Sequence, residues 1–348
     1  MAGTWTTQNK ALPGIYMNFQ THAPLSIPAG DRGTVVLLQE MSSGKVGEMY
    51  EITALDASKW PKDATAADKF LAGEALKNAK TVKVYNLGTA HTPETLAAAL
   101  NALKTVDFDV LCYPYPAATH ADSQNAIKTW VTSMVNDEGR YIQAVLADFG
   151  ADFENIINCA HAVKLSDGTV LTNAQTTAWV AGVTAAAKLN QSNTGARYDG
   201  AIDVVPRMTK TEMEAAVKAG KWIFKVDSAQ NVSAVYDINS LITYTAENSK
   251  AYRKNRFIRL ISSINNDITT IFESMYEGKF NNHAEGRSAF KTILVGYFLE
   301  LQNKQAIQNF SADDVTVEVG EDTDVVAVTV RLQSVDSIEK VYMTVNLS

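Results

Sequence analysis

From residue 313 onwards, the chain alternates between apolar and polar residues in three short runs. An acidic stretch at residues 320–324 separates the first two runs, and the third run reaches the last residue of the sequence. Alternation with a period of two is typical of strands that bury one face, so the pattern predicts a three-stranded sheet. The apolar positions are Val315, Val317, Val319, Val326, Val328, Val330, Leu332, Val341, Met343, Val345 and Leu347.

Residues 14–19, near the other end of the chain, show the same alternation. A terminal strand leaves a row of unpaired backbone N–H and C=O groups, which another strand must cover. We therefore expect that this run pairs within its own molecule or that the two ends of the chain pair with neighbouring molecules. The proline-containing segment 21–31 that follows is predicted to be an extended linker. In the run itself, the apolar residues Ile15, Met17 and Phe19 alternate with Tyr16 and Asn18.

The middle of the chain alternates between strand patterns and helix patterns. This order is typical of βαβ units, in which helices cover a parallel sheet. Two further strands and a helix before this region predict a small β-rich module. The predicted strands of the middle region cover residues 81–87, 108–113, 141–147 and, as strand or turn, 156–165, and its predicted helices cover residues 93–103, 122–135 and 176–189.

The second half of the chain is predicted to continue with a strand at residues 202–207, a capped helix at 209–220 and a hairpin at 222–238. Two helices then precede the terminal strands, and the first has one apolar stripe, which we expect to be core. The stripe consists of Phe257, Ile261, Ile264, Ile268, Ile271 and Met275. The predicted fold is therefore α/β and α+β multidomain, with an arm and linker at 1–28, the β-rich module at 29–80, a central α/β domain at 81–240 and an α+β domain at 241–348.

Composition narrows the possible functions. The 348 residues are 46% hydrophobic and 20% charged, as in ordinary globular proteins. The net charge of −7 argues against a nucleic-acid partner held by electrostatic attraction. No apolar run is long enough to span a bilayer and residues 1–7 do not resemble a signal peptide, so we expect no membrane insertion. Cys112 and Cys159 are predicted to be inert core thiols in a reducing compartment.

Familiar catalytic motifs are missing from the sequence. The turn after the first strand of the βαβ region has one glycine, Gly88, and the phosphate-binding loop and nucleophile-elbow patterns do not occur. The 5 histidines lack metal-ligand spacing. We interpret Asp122 and Ser123, beside His120, as helix-capping residues and His161 as a core histidine. The sequence therefore predicts no catalytic residue, no cofactor and no metal site.

Basic side chains gather at the amino end of the first C-terminal helix. Arg253, Arg256 and Arg259 stand together in a chain that is acidic overall. A solvated helix face explains such a cluster, and so does a contact with an acidic partner. The sequence leaves both interpretations open.

Both ends of the chain resemble the contractile-tail sheath proteins of phages and defective prophages, whereas the middle fits them only as a fold-level pattern. The amino-terminal similarity lies in TWTTQNK at residues 4–10, LPGIYMNF at 12–19 and DRG at 31–33. The carboxyl-terminal similarity lies in YEGKFNN at 276–282, GR at 286–287, DDV at 313–315, DVVAV at 324–328 and SIEKVYMTV at 337–345.

The resemblance implies a structural subunit whose terminal arms leave their own body and add strands to the sheets of neighbours. Such subunits form stacked hexameric rings around a tail tube, and contraction drives the tube through a target cell envelope. The implied arm residues are Ile15, Tyr16, Met17, Asn18, Phe19, Val341, Met343, Val345 and Leu347. The implied receiving sheet contains Val326, Val328 and Val330, and Arg253, Arg256 and Arg259 become candidate contacts with an acidic tube surface.

The resemblance also implies the partners and the location. The partners are further copies of the chain, a tail tube protein, and baseplate and tail terminator proteins, with no nucleic acid among them. The location is the virion tail, assembled in the cytoplasm of a bacterial host, with the α/β domain outside and the C-terminal domain facing the tube. The alternative is an α/β enzyme or ligand-binding protein that lacks familiar motifs and whose tails form a homodimer.

Overall fold

The computed structural model describes residues 2–3, 15–16, 32–53, 58–246, 248–279 and 281–345. In chain order, the strands are Ala2–Gly3 (β1), Ile15–Tyr16 (β2), Thr34–Gln39 (β3), Met49–Thr53 (β4), Thr81–Asn86 (β5), Val110–Pro116 (β6), Gln143–Ala147 (β7), Ile156–Cys159 (β8), Ala162–Leu165 (β9), Val170–Leu171 (β10), Ala201–Val205 (β11), Lys221–Trp222 (β12), Phe224–Val226 (β13), Val232–Ala234 (β14), Ile307–Gln308 (β15), Val315–Val319 (β16), Val326–Val330 (β17) and Gln333–Ser334 (β18).

The α-helices are Ala66–Leu76 (α1), Pro93–Leu103 (α2), Ala117–Asn136 (α3), Asn173–Ala186 (α4), Lys210–Lys218 (α5), Asn255–Ile271 (α6) and Ala284–Asn303 (α7). A π-helical turn at Phe272–Tyr276 continues α6. Short 3-10 turns lie at Lys250–Arg253 and Ala312–Asp314. No helix in the described part of the chain is long and apolar enough to cross a bilayer.

A seven-stranded sheet forms the centre of the fold, with the strand order β12-β8-β7-β6-β3-β5-β4. Neighbouring strands run parallel except at the edge, where β4 pairs antiparallel with β5. The predicted parallel sheet is thereby confirmed. The β-rich module predicted at residues 29–80 is not a separate sheet, because β3 is an inner strand of the central sheet and β4 is its edge.

Helices cover both faces of this sheet. Val35 and Leu37 of β3 belong to the core beneath α1 and α4, whereas Val36 and Leu38 belong to the core beneath α2 and α3. All four side chains are fully buried. A strand buried on both faces has a continuous apolar run rather than an alternating one, which explains the sequence VVLL at this place.

Threonine begins four of the helices around the sheet. The hydroxyl of each N-cap threonine accepts from the backbone N–H three residues on, and the side chain at that position bonds back to the backbone N–H of the threonine. This reciprocal capping fixes the helix starts. The capping threonines are Thr65 (α1), Thr92 (α2), Thr172 (α4) and Thr209 (α5).

A smaller antiparallel unit lies beside the central sheet. Strand β9 pairs with β10 and β11, and β13 pairs with β14. Its core is aromatic, since the fully buried rings of Trp179 and Tyr198 stack at 4.5 Å and Phe224 lies 5.6 Å from Trp179. The predicted strand at 202–207 and hairpin at 222–238 are confirmed with shorter bounds, and residues 156–165 divide into β8 and β9 of two different sheets.

The C-terminal unit packs α6 and α7 against the hairpin β16–β17. Leu260 of α6, Leu294 and Phe298 of α7, and Val315 of β16 share its core. Ile264 and other members of the predicted apolar stripe pack against this core as expected. The side chain of Met275, which completes the stripe, lies outside the described residues.

The predicted three-stranded sheet is wrong for the isolated chain. Strands β16 and β17 pair antiparallel, from Val315 opposite Val330 to Val319 opposite Val326. Residues 341–345 form no strand, and Val341, Met343 and Val345 are 67–78% exposed. A strand needs a partner for its backbone groups, and this segment pairs with no strand in the described part of the chain.

At the amino terminus, β1 and β2 form a two-residue parallel pair. The remainder of the predicted arm, Met17, Asn18 and Phe19, lies outside the described residues, as does the linker at 21–31. Leu347 lies outside them as well.

Candidate inter-subunit surfaces

Strand β17 presents an open edge. Among the described residues, β16 is its one sheet partner, so its other side offers unpaired backbone groups. Val330 packs against the core of the C-terminal unit, whereas Val328 is 40% exposed. The edge therefore combines unpaired hydrogen-bonding groups with an exposed apolar side chain, which is what an added strand requires.

A groove of about 810 Å³ lies beside this edge. Val326 and Val328 form one wall, and Ile268, Phe272 and Phe290 from the helices contribute apolar surface. Glu273, Glu277, Asp324 and Arg287 also line it and provide charge. The groove can accept apolar side chains from a segment that lies along β17.

The loop before α7 braces the hairpin. The Nδ2 of Asn282 donates to the carbonyl oxygens of Thr323 at 3.0 Å and Val325 at 2.9 Å. Arg287 in turn donates from Nη1 to Oδ1 of Asn282 at 2.9 Å. A side chain at Gly286 would come within 2.2 Å of the Asn281 carbonyl oxygen, so this close approach requires glycine. The residues at 276–287 that resemble sheath proteins thus hold the hairpin β16–β17 in place.

The segment before the exposed residues is held firmly by its own chain. The carboxylate of Glu339 accepts hydrogen bonds from the hydroxyls of Ser192 at 2.8 Å and Thr194 at 2.7 Å, and it forms an ion pair with Lys254. The Nη1 of Arg256 donates to the Ser337 hydroxyl at 2.7 Å. Beyond residue 340 the described chain has no such contacts, and Tyr342 is 93% exposed.

The basic cluster faces inwards, which corrects its assignment as a tube contact and as a solvated helix face. Arg259 is fully buried, and its Nη2 lies 2.9 Å from Oδ2 of Asp237. Arg256 is 6% exposed, and burial lowers the pKa of its guanidinium. Arg253 donates to the carbonyl oxygen of Val217. Arg259 connects α6 to the central domain, and Arg253 connects the turn before α6 to the same domain. Arg256 bonds within the C-terminal unit, and the buried Arg256 and Arg259 are unavailable to an outside partner.

The polar face of α6 is a buried interface, which the sequence pattern did not reveal. Asn266 exchanges hydrogen bonds with the backbone N–H and C=O of Tyr141, and Asn255 donates to Asp237 at 2.9 Å. Ser262 and Ser263 are also buried on this helix. The available signal was that many of its polar residues are uncharged, which is unusual for a solvated face.

At the carboxyl ends of β3 and β6, polar groups form a closed network. The Oε1 of Glu40 lies 2.8 Å from Nδ1 of His91, whose Nε2 lies 2.6 Å from the Tyr113 hydroxyl. Burial raises the pKa of Tyr113 to about 12, so its phenol stays neutral. The backbone N–H of Glu40 donates to the Tyr115 hydroxyl at 2.6 Å. Each of these polar groups has a hydrogen-bond partner within the network. The described residues contain no cluster suited to a metal.

The capping role predicted for Asp122 and Ser123 is wrong. Helix α3 begins earlier, at Ala117, without a side-chain cap, and bends at His120, whose φ of −133° and ψ of 31° are not helical. Ser123 instead bonds to the Tyr113 hydroxyl. The residue that precedes the helix is Pro116, in an extended conformation, so the helix start lies several residues before the predicted position.

The core assignments of His161 and the cysteines are confirmed. His161 is 1% exposed; its Nε2 lies 2.6 Å from the Pro206 carbonyl oxygen, and its Nδ1 accepts from the Phe224 N–H. Cys112 and Cys159 are buried free thiols, and burial raises the pKa of each to about 12. A thiol with so high a pKa is almost entirely protonated near neutral pH and therefore unreactive.

Comparison with known protein families identifies the class of protein that has this fold. Three models match in succession: the Gp18 domain III N-terminal region of tail sheath protein at residues 32–87, the phage tail sheath protein central domain at 89–240 and the phage tail sheath C-terminal domain at 247–348. The chain belongs to the phage tail sheath family.

Individual relatives agree with this assignment. The chain is 33% identical over 257 residues to the phage-like element PBSX protein XkdK of Bacillus subtilis, covering 72% of this chain and 55% of that protein. It is 28% identical to the tail sheath protein of Clostridium phage phiCD119, covering 74% of this chain and 76% of that protein. The chain thus spans little more than half the length of the Bacillus relative.

A solved structure of a sheath tail protein from Desulfitobacterium hafniense has the same fold. The TM-score is 0.83 at 29% identity, covering 95% of this chain and 99% of that one. The contracted helical sheath of the anti-feeding prophage, at a TM-score of 0.74 and 15% identity, shares the fold over 97% of this chain and 99% of that one. These findings do not support the alternative of an α/β enzyme.

Proposed function

We propose that the chain is a structural subunit of a contractile tail sheath, which polymerises as stacked hexameric rings around a tail tube and shortens to drive the tube through a target cell envelope. The observation that carries the proposal is the exposed apolar segment 341–345, in a chain that also has an open strand edge beside an apolar groove. Burying apolar surface contributes roughly 25 cal/mol per Å², which favours binding of the segment of one copy in the groove of another.

The carboxyl-terminal segment would act as an added strand. Its period of two places Val341, Met343, Val345 and Leu347 on one face, where they fill the groove of a neighbour. The receiving strand is β17, with Val326, Val328 and Val330. Each backbone hydrogen bond contributes only about 1 kcal/mol net, but several act in parallel along one strand and are repeated over the assembly.

The amino-terminal run would form the second arm. Ile15, Tyr16, Met17, Asn18 and Phe19 have the alternating pattern of a half-buried strand and resemble the start of sheath proteins. The linker at 21–31 would be the strap whose reach lets subunits move apart while the arm stays paired. Two arms per subunit connect each copy to more than one neighbour, as a mesh requires.

Other copies of the chain are therefore the first partners. A tail tube protein, baseplate proteins and tail terminator proteins follow as further partners, and the site of action is a virion tail assembled in the bacterial cytoplasm. A chain in the six-fold symmetrised baseplate of the anti-feeding prophage shares this fold at a TM-score of 0.74, which supports a baseplate as a partner. The C-terminal unit would face the tube and the central domain the outside. Arg253, Arg256 and Arg259 are not part of this proposal, because their own chain occupies them.

Negative-stain microscopy of the purified chain tests the proposal. The wild type should form rings, tubes or concentration-dependent polymers, whereas a triple variant with V341D, M343D and V345D should remain monomeric and folded. The matched control is Thr344→Asp, which places the same charge on the opposite face of the segment and should still polymerise. A wild-type chain that stays monomeric at high concentration, or a triple variant that forms normal tubes, would contradict the proposal.

A further inference from the structure

We infer that Glu339 is a positioning residue that fixes where the carboxyl-terminal arm leaves its own subunit. This inference rests on the proposed function, because it concerns how the arm is presented to a neighbour. The carboxylate of Glu339 lies in a site formed by Ser192, Thr194 and Lys254. The site is a specific receptor for one acidic side chain of the terminal segment.

The Glu339 carboxylate is buried in this site and does not merely rest on the surface. The Glu339 side chain is 8% exposed and that of Lys254 is 19% exposed. Two hydroxyls and an ammonium group supply its hydrogen bonds, so the charge is compensated where water is largely excluded. The Glu339 carboxylate helps to raise the pKa of Lys254 against the opposing effect of burial, so the ion pair persists over the ordinary pH range.

The receptor joins two parts of the fold. Ser192 and Thr194 lie in the loop after α4, in the central domain, whereas Lys254 immediately precedes α6 of the C-terminal unit. The Thr194 hydroxyl also accepts from the backbone N–H of Asp237, which forms the buried pair with Arg259. The base of the arm is therefore attached at the junction of the two units, and a rotation of the subunit carries it along.

The contacts on either side of Glu339 mark the end of the attached segment. Ile338 is 91% exposed and Val341 is 73% exposed, so Glu339 is inserted alone between exposed apolar residues. Lys340 makes the next contact, with its Nζ 5.8 Å from the centre of the Tyr236 ring. Residues up to 340 thus contact their own subunit, and residues 341–345 are free for a neighbour.

A fixed exit point shortens the tether, which is the length of free chain between the body of the subunit and the arm. A short tether raises the effective concentration of the arm at a site that it can reach, and a slack one lowers it. Loss of the Glu339 contact would free the chain back to Ser337, whose hydroxyl accepts from Nη1 of Arg256 at 2.7 Å. The arm would then leave from a different place and with greater freedom.

The test compares Glu339→Gln, which keeps the size of the side chain and removes its charge, with two other variants. The double variant S192A with T194V removes the two hydroxyl donors without altering the arm. The matched control is Asp336→Asn, because Asp336 lies 3.3 Å from the same Lys254 but is 56% exposed. Trypsin cleavage after Lys340 in dilute, folded subunits, followed by mass spectrometry, reports release of the segment and does not depend on polymerisation.

We expect cleavage to accelerate about tenfold or more in E339Q and in the double variant, and to stay within about twofold of the wild type in D336N. In polymers imaged by cryo-electron microscopy, E339Q should show a less regular helical rise and twist, or need a higher subunit concentration to assemble. Cleavage of E339Q at the rate of D336N would overturn the inference. E339Q tubes with normal lattice order that form at the same subunit concentration as the wild type would also overturn it and leave the proposed function intact, whereas a wild type without polymers would refute the proposed function.

Discussion

Arg259 and Asp237 form an ion pair in which both side chains are buried, with Nη2 and Oδ2 2.9 Å apart. The pair connects α6 to the loop that closes the central domain. Asp237 also accepts from the backbone N–H of Asn193 and the side chain of Asn255, so the carboxylate is fully engaged. The junction between the two units thus depends on charge compensation between two buried side chains.

Replacing Arg259 with methionine should strongly destabilise the chain. The change leaves the Asp237 carboxylate buried without its cation, which costs about 3 to 5 kcal/mol in comparable pairs. Urea denaturation followed by circular dichroism measures the free energy of unfolding. The control is Arg207→Gln, because Arg207 pairs with Asp203 at 2.8 Å on the surface, where solvent screens the pair, and its loss should change stability little. Equal losses in the two variants would show that the buried pair has no special role.

Packing between α1 and α4 should depend on Gly182. A Cβ at this position would lie 2.2 Å from the backbone carbonyl oxygen of Ala75, and backbone cannot easily move away. Gly182→Ala should lower the free energy of unfolding by about 1 to 3 kcal/mol or more. Gly73→Ala is the matched control within α1, since a Cβ there meets nothing within 4 Å, and it should stabilise the helix by about 0.5 to 1 kcal/mol. A tolerated G182A would mean that the two helices lie further apart.

Stability at low pH should depend on Asp68. Burial alone would raise the pKa of this carboxyl, but hydrogen bonds from Thr65 and Ser42 outweigh burial and hold the pKa well below its ordinary value. A lowered pKa in the folded state stabilises the fold above the unfolded pKa of about 3.9, and the contribution is lost as the pH falls further.

Asp68→Asn should therefore lower the free energy of unfolding at pH 7 by about 1 to 3 kcal/mol. The difference from the wild type should shrink as the pH falls below about 4. Denaturation curves at several pH values test this, with the exposed Asp63→Asn as the control. A difference that stays constant down to pH 2 would show that the carboxylate charge is not responsible.

Deleting residues 1–20 should abolish polymerisation and leave a folded monomer. The central and C-terminal cores consist of residues beyond 32, so removal of the arm leaves them complete. Analytical ultracentrifugation and circular dichroism give the two readouts. Tubes formed by the truncated chain would remove the amino-terminal run from the account of assembly.

The sequence predicted the parallel sheet and its helices because each of those elements carries its own periodicity. The sequence assigns β3 to a separate module, because VVLL at 35–38 does not show which strands lie on either side of it. The position of β3 in the central sheet follows only from its pairing with β5 and β6. The sequence predicted the segment at 341–347 as a strand from its pattern, although a strand forms only where a partner exists. The inward direction of Arg256 and Arg259 depends on how α6 meets the central domain, which no local pattern encodes.

The central claim is that the carboxyl-terminal segment of one copy pairs with β17 of another. Mixing two preparations, one carrying Met343→Cys and the other Val328→Cys, tests it most directly, because the native Cys112 and Cys159 are buried. After assembly and mild oxidation, the account predicts disulfide-linked dimers that contain one chain of each kind, and their absence when either cysteine is missing. A double variant that carries both cysteines and forms only internal disulfides within single chains, with no mixed dimers from the two preparations, would contradict it.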